Sequence, residues 1–222
     1  MGNGLQSSMM GVRGGLEGFA TVELSLIGSA YFLGFLGGSQ LAPKFIARVG
    51  HVRVFAALAS LISAVLITYP IITDPYAWMA LRVIVGFSLS GVYVTAESWL
   101  NNAATNETRG KSLSAYMLVQ MFGLVGGQAI LAAGDPSGWI LFVIPSILVS
   151  LSFAPILLSA TPTPAFDAAR PMTLRQLYDA SPFGVIGMLS MGTIFAGQFA
   201  MAPVYATEAG LSVAELSGFV SS

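Results

Sequence analysis

Arg82 is a cation in an apolar stretch, Leu81-Arg82-Val-Ile-Val-Gly86-Phe-Ser-Leu-Ser-Gly91. A charge at a helix centre costs about 2.5–3.5 kcal/mol on membrane-insertion scales. Arg82 is therefore expected to face a polar cavity, bind an anionic group or tune a nearby carboxylate, or else to snorkel to the surface. Glu97 follows fifteen residues later, in Tyr93-Val-Thr-Ala-Glu97-Ser-Trp-Leu-Asn101. At 1.5 Å per residue the two are about 22 Å apart along one helix and cannot pair. Glu97 is expected to meet Arg48, Arg53 or Arg109 instead, as an inner-gate ion pair that forms in one conformation and breaks in the other; the alternatives are a permanent salt bridge and a solvated helix end. Amides supply the remaining polar chemistry: Asn3, Gln6, Gln120, Gln128 and Gln198 all lie in apolar stretches. Each can donate and accept, as a polar solute requires, or can bond across a helix interface.

Other chemistries find little support. Cysteine is absent, and His51 is the one histidine. That leaves no thiolate metal site, no cysteine nucleophile and no histidine cluster. No nucleophile–base constellation stands out, so an enzyme is not expected. Neither a glycine-rich phosphate loop nor a basic patch for nucleic acid is seen, and no cofactor or metal is implied.

The elements that position these residues follow from hydropathy. The 222 residues are 55 % hydrophobic and 9 % charged, with mean hydropathy +0.78. Soluble domains carry about 25 % charged residues, and a bilayer crossing needs about 20 apolar ones. An all-α membrane protein follows. Residues 2–12 read as the second half of a first helix. Further spans are expected over 23–45, 53–73, 77–101, 111–133, 138–160 and 183–206. Residues 161–182 form a Pro-rich linker in which 172–178 makes a short amphipathic surface helix. The expected units are a six-helix bundle over 1–160, the linker 161–182, and a second-bundle start over 183–222.

Charge supports this register. Of nine Lys/Arg residues, Lys44, Arg48, Arg53, Arg109, Lys111, Arg170 and Arg175 all fall in alternate loops, after spans two, four and six. The intervening loops carry Glu17, Glu23, Asp74, Asp135, Glu208 and Glu215, with Arg13 their one cation. The positive-inside rule puts the basic loops and the side preceding the first span in the cytoplasm. Gly34/Gly38 and Gly123/Gly127 have the four-residue spacing that lets helix backbones approach.

The two ends of the chain also match. At an offset of 192, Gln6, Met9, Val12, Gly18, Glu23, Leu24, Ser25 and Ser29 fall on Gln198, Met201, Val204, Gly210, Glu215, Leu216, Ser217 and Ser221. Chance gives about two or three identities over such a window at ordinary residue usage. A repeat of this period in an apolar chain suggests two tandem bundles related by an axis along the membrane normal. The chain is then expected to be a fragment: helix one lacks its opening turns, and helix eight has barely begun at Ser222.

These residues carry a family resemblance over essentially the whole chain. The run Gly38-Ser-Gln-Leu-Ala-Pro-Lys-Phe-Ile-Ala-Arg48-Val-Gly50-His-Val-Arg53 resembles the major facilitator superfamily signature between helices two and three. Ala47 stands where that pattern has Asp, and His51 replaces the first Arg of its closing pair. Arg82 and Gly86 match the fourth-helix Arg-x-x-x-Gly associated with proton-coupled carriers. Asn106-Glu107-Thr-Arg109-Gly110-Lys111 is similar to the loop before helix five. Gly123, Gly126 and Gly127 lack the proline of the antiporter signature. The ending Glu97-Ser-Trp-Leu-Asn101 is similar to a poorly characterised bacterial branch.

The resemblance implies a secondary transporter working by alternating access, with helices one, four and seven lining a cavity. Asn3, Gln6, Arg82, Gln120 and Gln198 become substrate-cavity candidates; Arg48, Gly50, Arg53, Glu97 and Arg109 become the cytoplasmic gate and signature loop. The implied partners are a small organic solute, protons and the lipid bilayer of the bacterial inner membrane. The full-length protein would be monomeric, with efflux slightly favoured over uptake. The competing expectation is a non-transporting sensor or assembly protein, or a half-carrier that dimerises.

Overall fold

The computed structural model describes residues 2–158, 173–212 and 215. The described chain is all helical: α1 (Gly2–Leu16), α2 (Thr21–Val49), α3 (His51–Thr68), α4 (Pro75–Ala103), α5 (Arg109–Ala133), α6 (Ile140–Leu158), α7 (Leu174–Ala180) and α8 (Pro182–Glu208). Five of these, α2 to α6, are long and apolar enough to cross a membrane. The 29-residue α2 and α4 each reach about 44 Å. α8 is 27 residues long, with its apolar stretch over Pro182–Phe195. The chain is a multi-pass membrane protein. Residues 159–172, with most of the expected linker and Arg170, lie outside the described residues, as do the residues expected to begin helix eight.

Local chemistry sets the helix limits. Asp74 caps α4 by accepting from the Ala77 N–H at 2.7 Å, and Pro75 takes the first turn, where its missing N–H costs nothing. The Glu23 carboxylate accepts from Ala20 N–H at 2.8 Å at the head of α2. The short surface helix expected over 172–178 is α7, whose Thr173 and Gln176 cap each other reciprocally.

Two boundaries differ from expectation. α3 ends at Thr68 rather than near 73, although Ile71 and Ile72 continue the apolar run. Pro70 lacks the amide that another turn needs. The signature stretch 38–53 is mostly helix, because α2 continues to Val49 and α3 begins at His51. Gly50 alone makes the reversal, at φ 85°, a conformation that an L side chain rarely adopts.

Two seams hold the crossings together. α2 packs along α4, where Gly34 and Gly38 face the Val83 and Phe87 carbonyls and Gly86 faces the Tyr31 carbonyl. A Cβ at any of the three would overlap backbone. α3 is joined to α6 by serines: Ser63 Oγ lies 2.7 Å from Ser146 Oγ and 2.8 Å from Ser150 Oγ, and the Ser146 hydroxyl donates to the Ser63 carbonyl at 3.0 Å. Leu5, Met9, Ile27, Tyr31, Val65, Tyr69, Trp78, Val85, Leu131 and Phe142 belong to one buried cluster drawn from six segments. The outward faces of α5 and α8 carry Met117, Phe122, Phe183 and Met188, all exposed.

Candidate functional site

The glycine seam places Arg82. Gly86, one turn further along α4, lets the α4 backbone meet the Tyr31 carbonyl. That approach brings the Arg82 guanidinium over the Tyr31 ring, 5.1 Å from its centroid. Arg82 is 4 % exposed, so it does not snorkel. Its Nε and Nη1 are buried without a hydrogen-bond partner. Tyr69 lies close enough to interact electrostatically with it, and the Tyr69 hydroxyl is likewise buried and unpartnered. The Tyr69 ring meets Trp78 edge-on at 5.5 Å and stacks on Phe142 at 6.1 Å. Trp78 is itself tied by its indole N–H to the Ile72 carbonyl at 2.7 Å. The result is a buried cation and a buried phenol within electrostatic reach of one another, with donors unfilled.

The amides divide. Gln6, on α1, is buried with its Nε2 unpartnered. Gln128 donates to the Ser8 hydroxyl at 3.1 Å across the α1–α5 interface, which makes it a packing bond. Gln120 is half-buried on α5, whereas Gln198 is exposed on α8. Gln6 and Gln198, matched by the repeat, therefore sit in different surroundings. Asn3 belongs to α1, but its side chain lies outside the described residues.

At the basic end of the bundle, Arg48, Arg53, Arg109 and Glu97 are all exposed. The expected pairing of Glu97 with these arginines is not formed in this conformation: among the described residues the ion pair is Arg13–Glu17, at 2.6 Å. The physical reason is placement. Glu97 lies within electrostatic reach of Tyr116 on α5 instead. The end is held by a neutral contact that the motif comparison missed. His51 Nε2 lies 3.1 Å from Ser98 Oγ on α4, and the imidazole lies 6.1 Å from the Trp99 ring. His51 therefore does the joining where the family pattern has an arginine.

At the opposite end, Arg13 Nη1 donates to the carbonyls of Pro136 and Ser137 in the α5–α6 turn. The Ser137 amide and hydroxyl donate to Asp135 at 2.9 and 2.7 Å. These bonds hold the Asp135 carboxyl below its usual range.

This arrangement of membrane-length helices around a buried arginine can be compared with known proteins. The model of the Major Facilitator Superfamily matches residues 5–222. The chain belongs to that superfamily. An uncharacterized MFS-type transporter of Yersinia pestis is 26 % identical over 205 residues, covering 90 % of this chain and 53 % of that protein. The uncharacterized MFS-type transporter YcaD of Salmonella heidelberg is 26 % identical over 204 residues, covering 88 % and 52 %. The chain thus spans about half the length of these superfamily relatives.

Superfamily membership makes this a transporter-family membrane protein and leaves its chemistry to the residues. Sequence reasoning had singled out Arg82 and Gly86, but not Tyr31 or Tyr69. Neither tyrosine carries a motif, and only the α2–α4 approach and the α3–α4 turn bring them to Arg82. Ser63, Ser146 and Ser150 were equally silent, since a serine inside an apolar span does not reveal which helix it faces.

Proposed function

We propose that the protein moves a small organic solute across the bacterial inner membrane by alternating access, coupled to protons and running as export rather than uptake. The observation that carries this reading is a buried, uncompensated arginine on α4 of a superfamily bundle. A charge so costly in a bilayer is retained where it works. Residues 1–160 act as one rocking bundle, 161–182 as the cytoplasmic link, and 183–222 as the opening of the second bundle. Gln6, Arg82, Gln120 and Gln198, with Asn3, contribute to the cavity. Arg48, Gly50, Arg53, Glu97 and Arg109 gate its cytoplasmic mouth, with the Glu97 contact formed in another conformation of the cycle. Proton coupling is supported by the likeness of Arg82 and Gly86 to the superfamily's proton-coupled fourth helix. The working unit is a monomer.

Energised inverted vesicles from cells making the natural gene product test transport. Solute accumulation that collapses with the proton gradient is expected, and accumulation indifferent to it overturns the coupling. Orientation has its own test, because the chain contains no cysteine. A cysteine at Lys111 should be labelled from the cytoplasm and one at Ser137 from the other side. The reverse pattern overturns the topology.

A further inference from the structure

We propose that Arg82 and the Tyr69 hydroxyl form the binding point for an oxyanion, so that the transported solute carries a carboxylate-type group. This rests on the transport reading above and names its substrate class. Arginine stays protonated in any environment a protein offers, so the buried group is a full positive charge. The Tyr31 ring face, 5.1 Å away, attracts the cation, and a ring face fills no N–H donor with an oxygen acceptor. Nε and Nη1 remain without a hydrogen-bond partner, as does the Tyr69 hydroxyl, which lies within electrostatic reach of the guanidinium. The five membrane-length helices contain two carboxylates, Glu23 and Glu97. Glu23 is bonded to the Ala20 amide in the first turn of α2. Glu97 lies fifteen residues along α4 from Arg82, too far to reach it. Glu17, just beyond α1, is paired with Arg13.

An oxygen acceptor with negative charge on the solute completes the site. Water would fill the donors without neutralising the guanidinium, and a neutral or cationic solute would leave the buried charge uncompensated. Tyr69 is held by Trp78 and Phe142, so its hydroxyl is pre-positioned for the same ligand. A carboxylate accepts from both groups at once, with charge-assisted bonds on the arginine side.

Trp78, one turn from Arg82 and in ring contact with Tyr69, is the reporter. The chain has three tryptophans; replacing Trp99 and Trp139 by Phe leaves Trp78 alone. The purified full chain in detergent is titrated with benzoate, with its neutral isostere benzamide, and with inorganic phosphate, at constant ionic strength. We expect saturable quenching by benzoate at a concentration at least tenfold lower than benzamide requires. R82Q should lose that preference, R82K should keep part of it, and Y69F should weaken benzoate binding several-fold. Tighter binding of phosphate than of benzoate would support the oxyanion site and assign it to an inorganic ion.

Equal responses to benzoate and benzamide, no response to either anion, or an unchanged preference in a folded R82Q would each overturn the proposal. Should R82Q fail to fold, the benzoate-to-benzamide ratio of the parent chain decides alone. Reconstituted exchange separates the two readings. Selective benzoate binding without exchange refutes transport and keeps the site; exchange of a neutral solute untouched by R82Q refutes the site and keeps transport.

Discussion

The α2–α4 and α3–α6 seams solve one problem in opposite ways. Within lipid, helices gain nothing from hiding apolar surface, so association depends on close packing and on polar bonds between helices. The α2–α4 seam uses packing: Gly34, Gly38 and Gly86 remove side chains so that backbone meets backbone. The α3–α6 seam uses hydrogen bonds, with Ser63 serving both Ser146 and Ser150. A glycine seam has no slack, because the atoms it admits are carbonyls of the opposite helix. A serine seam keeps its shape when one hydroxyl is lost. The site was built on the seam without slack, since Arg82 lies over Tyr31 only as long as Gly86 admits the Tyr31 carbonyl.

The contrast can be broken most severely at Gly86. Gly86→Leu should destabilise the bundle by about 3 kcal/mol or more, since backbone cannot yield as a side chain does. Unfolding in mixed micelles measures this, and a loss of under about 1 kcal/mol would mean that α2 and α4 can simply shift apart. Next in size is the serine seam: a Ser63→Ala/Ser146→Ala double-mutant cycle should return a coupling of about 0.6 kcal/mol, and no more than about 1.7. A coupling as large as the glycine effect would erase the distinction between the seams.

Smaller still is the neutral joint at the basic end. Ser98→Ala removes one partner of His51 and should cost about 0.5–1 kcal/mol in the same unfolding measurement. A larger loss would mean that the joint holds more than one hydrogen bond. The smallest effect lies in the α5–α6 turn, where hydrogen bonds from Ser137 hold the Asp135 carboxyl below the usual aspartate range. A lowered carboxylate contributes its stabilisation above the unfolded value and loses it as pH falls through the folded one. Protection of the Ser137 amide in hydrogen exchange should therefore be full at neutral pH and decline only below the ordinary aspartate value of about 3.9. A decline already near pH 6 would assign the protection to another group.

Much of the architecture was legible because the bilayer imposes strong rules on a chain. Span lengths, the alternation of basic loops and the turn at Gly50 follow from hydropathy, charge and glycine. The surface helix α7 was legible as an amphipathic run, though not its threonine cap. Arg82 was legible too, since a cation within an apolar run is conspicuous at any register. Its neighbours were not. Tyr31, Tyr69 and Trp78 are ordinary aromatic residues in sequence, separated from Arg82 by as many as fifty-one positions. Glu97 shows the same limit: charge complementarity named arginines as partners, while in this conformation it is exposed and within electrostatic reach of Tyr116.

Composition and periodicity by themselves determined that this chain crosses a membrane several times, roughly where it turns, and that one arginine falls inside an apolar run. Those properties depend on short stretches of chain meeting one solvent, so local sequence carries them. Only the tertiary structure decided that this arginine is buried rather than snorkelling, what surrounds it, which serines join, and that His51 meets Ser98 at the basic end. Each of these depends on the rotation of one helix against another, and a glycine-sized gap in a distant segment sets that rotation.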